Sequence, residues 1–154
     1  MADAATVVLK ATILPDEIAK SITSTITVTP KDADDKWYYK LTSVTAASAD
    51  LIAGYFTDYT AVASNVSPTA VSTSDKVEFL YIENTDAAHD IYIVVDGGTA
   101  SNTAADAFKI SPGESWYGRL PNATVADIHA IGYDPVGLAA ATADAVVAAL
   151  LDDI

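Results

Sequence analysis

Cysteine is missing from this 154-residue chain, which excludes disulfides, zinc–thiolate sites and thiol nucleophiles together. Basic residues are scarce. Eight Lys and Arg stand against 21 Asp and Glu, for a net charge of −13. Gripping a phosphate backbone needs clustered cations, so nucleic acid is not expected as a direct partner. Long apolar runs are also missing. The Ala-rich end is the longest candidate and Asp144 breaks it, so nothing approaches the ~18 residues that cross a bilayer. No membrane partner is expected. The first residues, Met1 to Leu9, carry no basic stretch ahead of an apolar one, and a secretory signal is not expected either.

Groups able to do chemistry are few. Histidine occurs twice, as His89 and His129. His89 lies in the polar stretch Asn84 to Asp90, where it reads as solvated. His129 is two residues from Asp127 within Val125 to Ile131. On a strand those two side chains share a face and can form an Asp–His pair. No G-x-S-x-G element accompanies them, so the pair reads as structural and no catalytic residue is expected. Gly97-Gly98 follows an apolar run, but neither G-x-G-x-x-G nor G-K-[ST] is present. It reads as a turn. Asp32, Asp34 and Asp35 crowd one turn with oxygen donors that hard cations favour, yet without the glycine and distal glutamate of a calcium loop. They read as solvated charge. No metal ligand set and no cofactor are expected.

What the chain has is strand pattern. Half of its residues are hydrophobic, enough for the core of a single domain over 1–154. From Ser21 to Pro30, Ile22, Ile26 and Val28 alternate with Thr23, Thr25, Thr27 and Thr29, as in a strand with a threonine-lined outer side. Further strands are predicted at Ala4–Leu14, Trp37–Thr45, Val77–Ile82, Ile91–Val95, Phe108–Ile110, Trp116–Leu120 and Val125–Ile131. The polar stretch after Ile82 reads as a hairpin loop, and Ser111-Pro112-Gly113-Glu114 as a type II turn. Val77–Ile82 and Ile91–Val95 are apolar on both parities, so both their faces need cover, from the N-terminal segment or another subunit.

Asp50–Ala61 fits either a strand or a short helix capped by Asp50. The end, Asp134–Ile154, fits a closing strand, the preferred reading, or a short C-terminal helix. Nine or ten short strands define an all-β antiparallel β-sandwich, jelly-roll-like. Its expected parts are N-terminal strands or an arm over 1–60, a linker or long loop over 61–75, and the main sandwich half over 76–154.

Among the aromatics, Trp116 and Tyr117 fall on opposite faces by alternation, and core plus interface accounts for the set without a ligand. Trp37, Tyr38, Trp116 and Tyr117, with the only arginine, Arg119, are the candidate interface residues. A lone arginine on an acidic surface bridges to a carboxylate, within the chain or across an interface. Exposed tryptophans and tyrosines also stack on sugars, which keeps a carbohydrate-binding sandwich as an alternative.

Four segments carry a resemblance: Lys76-Val-Glu-Phe-Leu-Tyr-Ile-Glu-Asn-Thr, Asp90-Ile-Tyr-Ile-Val-Val-Asp-Gly, Ala107-Phe-Lys-Ile-Ser-Pro-Gly-Glu-Ser-Trp, and Leu120-Pro-Asn-Ala-Thr-Val-Ala-Asp-Ile-His-Ala-Ile-Gly. In this order, across Lys76 to Tyr133, the chain resembles virion structural proteins of tailed, particularly marine, bacteriophages. Among these its size is similar to that of capsid decoration (cement) proteins. The resemblance implies a non-enzymatic protein on the outer capsid surface of a virion. Its partners would be the major capsid protein and further copies of itself, a trimer being favoured. A tail, neck or fibre component is the alternative within the same group. The Ala-rich acidic end has no counterpart in that pattern.

Overall fold

The computed structural model describes residues 4–13, 20–56 and 69–154. They form two compact units, one within Met1–Ala33 and the other over Asp34–Ile154. In the first, β1 (Ala5–Ile13) and β2 (Lys20–Val28) pair antiparallel, with Val7 opposite Ile26 and Leu9 opposite Ser24. That register places Val7, Leu9, Ala11, Ile22, Ile26 and Val28 on one side of the ribbon. Thr6, Val8, Lys10, Thr23, Thr25 and Thr27 fall on the other, because side chains alternate along a strand. The threonine-lined side predicted from sequence is therefore present.

The second unit contains two antiparallel sheets. One has the order β3 (Asp35–Val44), β11 (Ala143–Asp152), β5 (Lys76–Asn84), β8 (Ser115–Arg119). The other runs β10 (Ala139–Ala140), β9 (His129–Asp134), β6 (Asp90–Val94), β7 (Phe108–Ile110), with the short β4 (Ala49–Asp50) on β9. The sheets close over one apolar core, in which Tyr38, Leu80, Ile82 and Val147 of the first sheet join Ile91, Ile93, Ile110 and Ala130 of the second. The molecule is an all-β sandwich. Its last long element is the closing strand β11, not a helix. Ala143, Ala145 and Ala149 bury on its inner side, and their small side chains leave volume for the bulkier Tyr38, Ile52 and Phe56 in the same core.

Strand β3, among the N-terminal strands expected over 1–60, sits beside β11 in the main sheet. Three expectations change. The stretch between β5 and β6 is not a hairpin loop, because the two strands belong to opposite sheets. It is an arch, fastened by the buried Asn84. The Asn84 amide donates to the carbonyls of His89 (2.8 Å) and Ile110 (2.9 Å), and its oxygen accepts from Asp86 N–H (3.0 Å).

Val125–Ile131 is not one strand. Val125–Asp127 is a 3-10 turn, in which the Asp127 carboxylate accepts from Thr124 N–H (2.7 Å) and the Thr124 hydroxyl (2.9 Å). Only from His129 does the strand run. Asp50 caps no helix. It ends the two-residue β4, and the chain through Phe56 is irregular. The rest of the Asp50–Ala61 reading and residues 61–68 of the linker lie outside the described residues. The Pro112–Gly113 turn is present, with Glu114 N–H on the Ser111 carbonyl (2.9 Å) and Gly113 at φ +76°, where only glycine is unstrained.

Candidate interaction surface

The outer face of the β3–β11–β5–β8 sheet follows from its register. Cross-strand neighbours line up as Trp37, Leu150, Phe79 and Arg119, then as Tyr39, Ala148, Tyr81 and Tyr117, then as Leu41, Val146, Glu83 and Ser115. Three adjacent rows thus put five aromatic rings beside aliphatic side chains on one side of the sheet. Leu41 is 70% exposed and Tyr39 52%, whereas Phe79 and Leu150 are buried. Tyr81 donates to Glu83 Oε2 at 3.0 Å and lies 3.1 Å from the Ser115 hydroxyl. Desolvation holds its phenol pKa above the ordinary tyrosine value.

Carboxylates rim this apolar centre. At one end the register shifts between Leu150 and Leu151. The extra residue of that bulge is Glu78, and a bulge re-aims the side chain it inserts. Glu78, Asp35 and Asp152 bring carboxylate oxygens within 4.8 Å of one another. Lys76 faces Asp152 on the ladder and Lys36 pairs with the adjacent Asp153, which supplies countercharge. Three oxygen donors from separate strands suit a hard cation in kind, but they equally make an ordinary acidic rim. At the other end stand Glu83 and Asp144, the latter opposite Ser43.

The five residues named from sequence divide by parity. Trp37, Tyr117 and Arg119 lie in the outer rows. Tyr38 and Trp116 point inward. Tyr38 is 1% exposed and its hydroxyl donates to the Ala53 carbonyl (3.1 Å), so it offers no area to a partner. Burial raises its pKa. Trp116 packs on the core and against Phe108, ring centroids 5.1 Å apart. Tyr39, Leu41, Tyr81 and the carboxylate rim were not singled out from sequence. The odd positions of Trp37–Thr45 contain the signal for the first two, but the rim depends on a bulge and on strands far apart in the chain.

The histidines are committed elsewhere. His129 does not pair with Asp127, whose carboxylate is held by Thr124. Strand β4 places Asp50 opposite His129, with Nε2 3.1 Å from Asp50 Oδ1 and Nδ1 2.7 Å from the Gly98 carbonyl. Both ring nitrogens thus lie within hydrogen-bonding distance of oxygen acceptors. His89 Nδ1 lies 2.8 Å from the Thr142 carbonyl. An open depression of about 410 Å³ is lined by Val95, Asp96, Leu120, Pro121, Asn122, Ala123 and Asp127. It includes neither histidine. Among the described residues no helix is long and apolar enough to cross a membrane.

Comparison with protein-family models, with curated proteins and with solved structures finds no match to this chain.

Proposed function

We propose that this chain is a non-enzymatic virion structural protein: a capsid decoration protein that binds the outer surface of a major capsid protein shell and stabilises it. The observation that carries the binding role is the outer face of the β3–β11–β5–β8 sheet, an apolar and aromatic centre rimmed by carboxylates. Exposed contiguous apolar patches mark interaction sites on soluble proteins, and aromatic residues are enriched at the cores of protein interfaces. The order of segments from Lys76 to Tyr133, similar to that of phage virion sandwiches, supports the choice of partner. The commitment of both histidine rings to backbone and carboxylate oxygens supports a role without chemistry. Repetition of one modest contact over a symmetric shell would supply retention by avidity.

The test is electron microscopy of particles from a phage encoding this sequence, labelled with antibody to the recombinant chain. Regular labelling over the shell is the expected result. Label confined to tail, neck or fibres would replace decoration with a joint component, and unlabelled particles would remove the virion reading.

The row Tyr39, Tyr81, Tyr117 specifically favours one second reading, a carbohydrate-binding module that stacks sugar rings on tyrosine. Trp116 drops out of that platform because it packs inward. Retention on polysaccharide that Tyr39→Ala abolishes would support it, and a blank glycan array would dismiss it.

A further inference from the structure

We infer that the turn between β9 and β10 of one copy docks on the outer face of the β3–β11–β5–β8 sheet of a second copy. The inference rests on the reading of that face as an interaction surface, and it names what occupies the face between copies. Ala139 pairs with Asp134, so Pro135, Val136, Gly137 and Leu138 make up the turn. Val136 is 90% exposed and Leu138 74%, which leaves two aliphatic side chains in water at one tip. Leu138 also has φ +52°, a left-handed backbone that glycine and asparagine adopt far more readily than leucine. Neither side chain is buried in the single copy, and Leu138 strains it. Residues held in such conformations cluster at functional sites.

The receiving face has a notch for this tip. In the row Tyr39, Ala148, Tyr81 the alanine is the smallest side chain, with a tyrosine on each neighbouring strand. Leu41 and Val146 stand in the next row, so the walls are aromatic and aliphatic. Binding energy concentrates where a side chain fills a well-packed pocket. Electrostatics narrows the choice of side chain. Carboxylates rim the face, and a charged surface of another copy at −13 would meet like charge there. Residues 135–143 carry no charge. Asp134 turns its carboxylate back on the turn, accepting from Val136 N–H (2.8 Å) and from Gly137 N–H. The tip is therefore apolar, uncharged and already formed. Leu138 would enter the notch over Ala148, and Val136 would cover Tyr39 and Leu41. Val136, Leu138, Tyr39 and Leu41 are all exposed in the single copy, so the contact lies between copies. Turn and face are different surfaces, which makes it head-to-tail, and such contacts close into rings when the rotation permits.

Sedimentation equilibrium of the full-length chain tests this in about 0.15 M salt, where charges are screened beyond about 8 Å. Circular dichroism confirms that each variant is folded. The parent chain is expected to self-associate reversibly. The double variant Val136→Ser, Leu138→Asn should weaken association about tenfold or more, and asparagine suits the left-handed backbone, so the turn should keep its shape. On the face, Ala148→Leu fills the notch and Leu41→Ser removes part of its wall. Each should weaken association to a similar degree. None of these changes alters net charge, so repulsion between copies stays as it was. Mixing the turn variant with Ala148→Leu should restore one-to-one pairs, because each supplies the surface that the other lacks.

A mixture that stays monomeric while the parent associates would show contact between like surfaces and overturn the inference. So would a turn variant that associates as the parent does, or a parent chain that is monomeric at about 1 mM. The reading beneath is scored separately. A monomeric chain that still co-sediments with capsids sinks the contact between copies alone, and one that self-associates as expected but never binds particles sinks the virion assignment alone.

Discussion

Asn84 concentrates more of the fold in one side chain than any other polar residue of the core. It is fully buried and its amide holds the arch from β5 to β6 as well as the Ile110 end of β7. Truncation to alanine would take from the His89 and Ile110 carbonyls the amide that donates to them, each a desolvation cost of about 1–3 kcal/mol, whereas the Asp86 N–H keeps the Asp144 carbonyl (3.2 Å). Relaxation recovers part of that. Asn84→Ala should lose about 2–3 kcal/mol in urea unfolding, and Asn84→Asp, which forfeits both donors, at least as much. An equal midpoint for Asn84→Ala and the parent would mean the arch is held by its backbone alone.

Two residues on, Asp86 Oδ1 accepts from Ala88 N–H (2.8 Å) and His89 N–H (2.9 Å). These bonds favour the ionised form and hold its pKa below the ordinary aspartate value. With the folded value depressed, the unfolded chain binds more protons between the two values, so stability rises with pH there. The contribution is complete above the ordinary carboxylate value and disappears as pH falls through the folded one. Asp86→Asn should therefore show a flatter loss of urea midpoint between about pH 5 and pH 2.

Strand β9 has one position with no room for a side chain, Gly132. Gly132 donates its N–H to the Thr45 carbonyl and receives the Ala141 N–H (both 3.0 Å), and a β-carbon placed there would fall on the Ala141 carbonyl oxygen. Backbone, unlike a flexible side-chain end, cannot move aside cheaply. Gly132→Ala should destabilise by about 1–3 kcal/mol, the range for overpacking. The control is Gly113→Ala, where nothing crowds the new methyl and the cost comes from φ alone. Gly132→Ala unfolding at the parent's urea midpoint would refute the crowding.

Elements also show what could be read before folding. The alternation of Ile22, Ile26 and Val28 with threonines is local, so β2 was legible along with its two sides. The end strand was legible only narrowly, because Ala143–Asp152 becomes a strand by lying between β3 and β5, and alanine by itself favours helix. Val125–Ile131 misled because a capping interaction between Thr124 and Asp127 overrides the apolar pattern. The arch misled because loop composition does not reveal which sheet the next strand joins. Of the surface, parity separated Trp116 from Tyr117. The bulge at Glu78 and the Asp50–His129 contact depend on pairings distant in sequence, for which no local signal exists.

For the whole molecule, charge decides when copies meet. Each carries −13. Two such charges about 30 Å apart in water repel by an unscreened energy on the order of 20 kcal/mol. A surface ion pair is worth about 0–1 kcal/mol. Repulsion therefore governs the salt response. At about 0.01 M salt the screening length is about 30 Å and much of the repulsion survives; at 0.15 M it is about 8 Å and little does. Self-association of the full-length chain should tighten at least tenfold between those two conditions, the reverse of what ion pairing alone would give. Beyond roughly 0.5 M the dependence should flatten, because apolar contact over Tyr39 and Leu41 is not screened. Sedimentation equilibrium across the salt series reads this directly. Association that weakens steadily from the lowest salt upward would mean that the lysine–carboxylate contacts, not burial of apolar surface, hold the copies together.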